Sequence, residues 1–227
     1  MLGGDIFKKC RNGGSMIRPW DSTFSIVCRC ADSGDLAVAV CTARPAVGNR
    51  VPFVLAGGAA VATQADTNPA LGYRALQGIK KGLSAEAAMI APLALDSGRA
   101  RRQFSIITAS GDSAFFTGSE VIAQNQWAGA IKDVNAVVAG NLLVGPQVLY
   151  AMLAAFEQST GFLGERALCS LEAGQAVGGD KRGKISAALL VARDGEHPLL
   201  DLRIDKSDDP VADLRELYTD YLATYPL

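Results

Sequence analysis

Three times in this chain, two short apolar runs flank a turn built from Asp, Ser or Gly. The first is "TFSIVCRC" and "LAVAVCTA" around "ADSGD" (23–43), the second "QFSIITA" and "SAFFTG" around "SGD" (103–118). The third is "KISAALLVAR" and "LLDLRID" around "DGEHP" (184–205). Runs of this length with such turn residues predict hairpins. Between the pairs, the pattern becomes helical. "NPALGYRALQGIKKG" (68–82) opens with Asn68 as an N-cap and Pro69 at the first helical position, and it closes on Gly82. "SAEAAMIAPLALD" (84–96) starts at Ser84, and Pro92 should kink or shorten it. "GPQVLYAMLAAFEQS" and "LGERALCSLEAGQAV" form a second helical pair, and "DPVADLRELYTDYLATY" a last helix. "FVLAGG", "AAVATQA", "QWAGAIKD" and "NAVVAGNLLV" add further strands. Hairpins separated by paired helices suit two stacked sheets covered by helical layers, an α+β fold, rather than a doubly wound parallel sheet.

The 227 residues can bury one sizeable core. A formal net charge of −1 leaves no excess of cations to neutralise phosphates, so nucleic acid is not an expected partner. Apolar stretches such as "AAMIAPLAL" are too short to span a bilayer. The amino-terminal residues carry charges and glycines where a signal peptide needs an apolar core, which makes the cytoplasm the expected compartment. Exposed strand edges in an apolar-rich chain lead us to expect a homodimer.

The chain has a single histidine, His197, between a turn signal and a proline. A Ser-His-Asp or Cys-His triad must use it or does not exist. Its setting reads as an exposed loop, so any hydrolytic chemistry should run without a histidine base. The five cysteines are expected to be reduced and buried, and their spacing does not suit a zinc site. No metal or organic cofactor is expected.

"GGDKRGK" (178–184) lacks P-loop spacing, and "VLAGGAAVATQ" lacks the dinucleotide fingerprint. Asp180 and Arg182 nevertheless stand in a Gly-flanked loop before an apolar strand. They read either as a solvated turn or as a charged pair that clamps a substrate carboxylate or orients a nucleophile. Arg44 is an isolated cation after a strand, and Asn141 lies between a strand and a helix. An amide there is either a turn residue or a donor to an oxyanion. The stretch "DSTFSIVCRC" alternates like a half-buried strand, with Phe24, Ile26 and Cys28 on one side and Ser25, Val27 and Arg29 on the other.

Taken in order, "TFSIVCRC…SGDLAVAV", "GGAAVATQADTNPALG", "AGNLLVGPQV", "LEAGQAVGGDKRGKISAALLV" and "DPVADLRELY" resemble the family catalogued as domain of unknown function 1028. The resemblance runs from Thr23 to about Tyr221. It implies similarity to the N-terminal nucleophile (Ntn) hydrolases, which are four-layer αββα proteins. In those enzymes a Thr, Ser or Cys begins the first strand as the mature amino terminus, and its own α-amine serves as general base. By match of motif that residue is Thr23.

The resemblance further implies Arg44 as electrostatic support and Asn141 as oxyanion donor, with Asn68 a lower-ranked candidate for the same task. Asp180 and Arg182 would orient the hydroxyl or hold substrate. Residues 1–22 are expected to form a flexible extension, followed by a single domain over 23–227. While that extension is attached, Thr23 has an amide nitrogen, which is no base. Two expectations follow: an amidohydrolase acting on a small-molecule amide, or a non-catalytic small-molecule-binding or scaffold protein that keeps the fold without a free nucleophile.

Overall fold

A computed structural model describes residues 23–123, 127–195 and 197–226, so the expected extension over 1–22 lies outside the described residues. Strands β1 (Thr23–Arg29) and β2 (Leu36–Thr42) form the first hairpin, followed by β3 (Pro52–Leu55) and β4 (Ala59–Ala65). Helices α1 (Pro69–Lys80) and α2 (Ala85–Ala94) precede the hairpin of β5 (Arg102–Thr108) and β6 (Ser113–Thr117). After the short α3 (Ser119–Ile122) come β7 (Trp127–Lys132) and β8 (Ala136–Leu143), then α4 (Gln147–Gln158) and α5 (Leu163–Ala176). The hairpin of β9 (Ser186–Ala192) and β10 (Leu200–Ile204) leads to α6 (Pro210–Thr224).

The strands form two antiparallel sheets, one in the order β10-β9-β2-β1-β8-β7 and one in the order β3-β4-β5-β6. The molecule is therefore α+β with two antiparallel sheets and helices. Local chemistry fixes the helix ends as the sequence suggests. The Asn68 side chain accepts from the Ala70 N–H at the start of α1, and Gly82 beyond its end adopts φ 83°. Ser84 caps α2 by accepting from the Ala87 N–H, and Pro92 lies in the helix's last turn. The helix α3 and two single-turn 3-10 segments at Val47–Asn49 and Arg99–Arg101 have no counterpart in the sequence expectations.

Alternation along the strands sorts the apolar residues into three buried clusters. Phe24, Ile26 and Cys28 pack with Met152 and Phe156 of α4, Leu168 and Leu171 of α5, and Leu214 of α6. Val61, Phe104 and Ile106 pack with Leu71 of α1 and Met89 of α2. The third cluster joins the two sheets, with Val27, Val38, Val40 and Val137 from one and Ala60, Ala62 and Ile107 from the other. Strand β1 is thus not half-buried. Its second face meets the other sheet instead of water, and Ser25 and Val27 are as fully buried as Phe24. Burial on both faces also explains why β2 is apolar at every position but its last.

Candidate functional site

At one end of the space between the sheets the apolar filling stops and a row of polar residues begins. Backbone register sets the row across four adjacent strands. Thr42 lies opposite Ser186, Thr23 opposite Thr42, and Asn141 opposite Thr23. Each position continues the face occupied deeper in the sheet by Val40, Val27, Val137 and Ala188, so the side chains point toward the second sheet. All four are buried. The Thr23 hydroxyl donates to the Thr42 hydroxyl at 3.2 Å. Ser186 donates to the Arg44 carbonyl at 2.5 Å and accepts from the Val47 N–H at 3.1 Å, which pins the loop leaving β2.

The second sheet answers with two glutamines. Gln103 Nε2 shares its two N–H groups among three acceptors, the carbonyls of Gly140 (2.9 Å) and Gly129 (3.1 Å) and Thr117 Oγ1 (3.1 Å). Two of these acceptors are carbonyls, so the amide orientation is fixed and Oε1 is the acceptor. Asn141 Nδ2 donates to it at 3.0 Å and Gln64 Nε2 at 2.8 Å. Gln64 in turn accepts the Ser25 hydroxyl through Oε1 at 2.7 Å. Ser25, Gln64, Gln103 and Asn141 are all at most 1% exposed. A network this deep is costly if left incomplete and rigid when satisfied, so it locks the two sheets in register beside Thr23.

The loop that follows α5 closes against the same end. Asp180 forms a bridge with Leu143 at the end of β8, and the Lys181 N–H donates to the Leu142 carbonyl. The Asp180 side chain is fully buried, and its Oδ2 accepts the Ala43 N–H at 3.1 Å just past β2. Its Oδ1 accepts the Arg182 N–H at 2.7 Å, with the Arg182 guanidinium 3.7 Å away. Of the two sequence readings of this pair, the simple solvated turn fails for Asp180, which ties the loop to the strand ends. Arg182 stays at the surface.

Backbone geometry marks this end as well. Among the described residues, the non-glycine positions with positive φ are Ala46 (58°), Ala65 (69°) and Leu142 (53°). Ala65 directly follows Gln64, Leu142 follows Asn141, and Ala46 lies two residues past Arg44. A left-handed bulky residue such as Leu142 is disfavoured unless its surroundings impose it, and such positions gather at functional sites.

The sequence candidates therefore separate. Thr23 and Asn141 are direct cross-strand neighbours, and Asp180 joins the strand ends on either side of them. Arg44 lies two residues beyond Thr42, half-buried, with its carbonyl held by Ser186. Asn68 serves as the cap of α1, and no bond among the described residues joins it to the Thr23 row. His197 is exposed in the β9–β10 loop. Sequence reasoning passed over Thr42, Gln64 and Gln103. Their signal was a polar side chain placed in step with buried apolar residues: Thr42 with Val38 and Val40 in "LAVAVCT", Gln64 with Ala60 and Ala62 in "AAVATQA", and Gln103 with Ile107 in "RQFSIIT".

Among solved structures, protein SPO2555 from Silicibacter pomeroyi, itself of the DUF1028 family, is 32% identical with a TM-score of 0.80. The match covers 88% of this chain and 89% of that one. Anbu (ancestral beta-subunit) from Yersinia bercovieri is 11% identical with a TM-score of 0.42, over 88% of this chain and 95% of that one, a likeness too slight to build on. No curated protein matches. The DUF1028 family, described as a family of unknown function, matches residues 23–214, from the first residue of β1 into α6. By that match, over most of its length, the chain belongs to the DUF1028 family.

Proposed function

We propose that this protein is an Ntn-type amidohydrolase with Thr23 as nucleophile, and that its sheets and helices stack as a four-layer αββα sandwich. The observation that carries the proposal is the position of Thr23. It is the first residue of a central strand, its hydroxyl is 3.2 Å from that of Thr42, and it lies directly opposite Asn141. The layering draws support from the three buried clusters, one on each outer sheet face and one between the sheets.

In this reading the Ser22–Thr23 bond is cut, and the residues before it are the expected extension. The freed amine, with an unperturbed pKa near ~8, takes the hydroxyl proton as Oγ1 attacks the amide carbon of a small molecule. Asn141 Nδ2 carries two N–H groups, and Gln103 takes one of them. The Asn141 amide stabilises the developing oxyanion, and Arg44 lowers the electrostatic cost nearby. The amine returns its proton to the leaving nitrogen, and water then hydrolyses the ester on Thr23. Asp180 holds the loop that walls this end of the sheets, and Arg182 at its surface receives an anionic part of the substrate. We place the protein in the cytoplasm, as a homodimer.

The test pairs intact-mass analysis of the native protein with turnover of a panel of small primary and secondary amides. The proposal expects active protein to begin at Thr23, and Thr23→Ala to lose at least ~10³-fold in turnover. Active protein that still carries residues 1–22 overturns it.

One observation favours a second reading, a small-molecule-binding protein without catalysis. The donors nearest the site are turned inward, with Thr23 bonded to Thr42 and Asn141 bonded to Gln103. In that case the intact mass retains the extension, and a ligand from the panel binds without being cleaved.

A further inference from the structure

At the opposite end of the same inter-sheet space, Arg29 closes β1. It lies six residues from Thr23, or roughly 20 Å at the rise of a strand. Its position in the alternation aims it toward the second sheet, and its Nη1 donates to the Ala109 carbonyl at 2.8 Å in the β5–β6 turn. Gly111, at φ 95°, lies against the guanidinium so closely that an added Cβ would be 2.9 Å from both Cζ and Nη2. The group is thus fixed by backbone and not by a carboxylate. Its Nε is buried and makes no hydrogen bond, and neither does the buried Oδ1 of Asn135 in the adjacent β7–β8 turn. Neither Arg29 nor Lys132 forms an ion pair among the described residues.

Arg29 and Lys132 both line a cavity of about 400 Å³ together with Ser110 and Ser113. Asp133 also lines it, so the local balance is two cations against one exposed carboxylate. A half-buried guanidinium whose one acceptor among the described residues is a carbonyl has paid much of its desolvation cost without receiving a counter-charge there. A fork held by backbone is also pre-organised for planar oxyanions, and the serines add hydroxyl donors.

We propose that this cavity is a binding site for a small oxyanion, a carboxylate or phosphate group, with Arg29 as its anchor and Lys132 as its second cation. The site is separate from the Thr23 row and does not depend on Thr23 being a nucleophile.

Titration calorimetry and amide chemical shifts on the full chain test it, with inorganic phosphate and acetate as probes at constant ionic strength. Saturable binding of at least one probe is expected, with shifts confined to Arg29, the 109–113 turn and the 132–135 turn. Arg29→Gln should weaken it at least ten-fold, and Arg29→Lys by less. Lys132→Ala, at an exposed position, should weaken it about three-fold. Arg74→Gln removes the same charge from an exposed position elsewhere and should change nothing. Absence of saturation with both probes overturns the proposal. So does a loss in Arg74→Gln equal to that in Lys132→Ala, which would make the effect one of net charge alone.

Discussion

From Thr23 to Cys28 the two faces of strand β1 are both buried, and they are chemically opposite. Toward the helices it presents Phe24, Ile26 and Cys28, which make only packing contacts apart from one weak bond from Cys28 Sγ to the Ala37 carbonyl at 3.8 Å. Toward the other sheet it presents Thr23, Ser25, Val27 and Arg29, of which three are polar and each polar one has a named partner on another strand or turn. Burial alone therefore says little about what a residue here is for. The helix-facing side supplies stability that any apolar residue of suitable volume could provide. The sheet-facing side accepts the desolvation cost of polar groups and gains fixed orientation in return.

The largest effect that this contrast predicts is on the helix side. Phe24→Ala should destabilise the protein by about 4 kcal/mol in urea unfolding while leaving the inter-sheet hydrogen bonds intact. Next comes Gln103→Leu, which removes the acceptor of Asn141 and Gln64 and the donor to two carbonyls, at about 3 kcal/mol after partial relaxation. It should also disturb the Asn141 side-chain amide resonances, which Phe24→Ala should leave in place. If Phe24→Ala shifts those resonances as much as Gln103→Leu does, the two faces are not independent and the contrast fails.

Ser25→Ala is a smaller change. It leaves Gln64 Oε1 without its donor and should cost about 1 kcal/mol. A cost near that of Phe24→Ala would mean that the network, not the apolar cluster, dominates stability here.

The smallest effect concerns reactivity without stability. Burial pushes the Cys28 thiol far above its ordinary range. Cys30 lies just past the strand, where burial also raises the thiol, but hydrogen bonds from the Ser33 hydroxyl and from the Ser33 and Asp32 backbone bring it below its usual value. At pH 8 iodoacetamide should therefore label Cys30 in the folded protein and Cys28 only after unfolding, as read by peptide mass mapping. Simultaneous labelling would show that the helix-facing side opens readily.

The sequence made the elements legible where local chemistry decides them. Asn68 and Pro69 start α1, Ser84 starts α2, and the Asp-Ser-Gly turns close the hairpins because these rules involve neighbours in the chain. The layering of the site was less legible because it is non-local. Alternation showed that Ser25 and Phe24 face opposite ways, but not that a second sheet covers Ser25. A Gln in "AAVATQA" is the same letter whether it meets water or Gln103, and only the pairing of distant strands tells the two apart. Asn68 and Asn141 illustrate the limit, since both are amides next to a strand end. One became a helix cap, and the other lies beside Thr23 because β8 pairs with β1.

The central place of β1 has a consequence for the chain itself. Polypeptide ends usually fray, since they are bonded on one side at most. Thr23 is flanked by β2 on one side and β8 on the other, and the strand is paired in both directions from Thr23 to Cys28. A break in the backbone before Thr23 would thus create an end with no slack, moored like the middle of a sheet. A terminal amine in that position would hold its bearing on the hydroxyl beside it without any lid or clamp to restrain it.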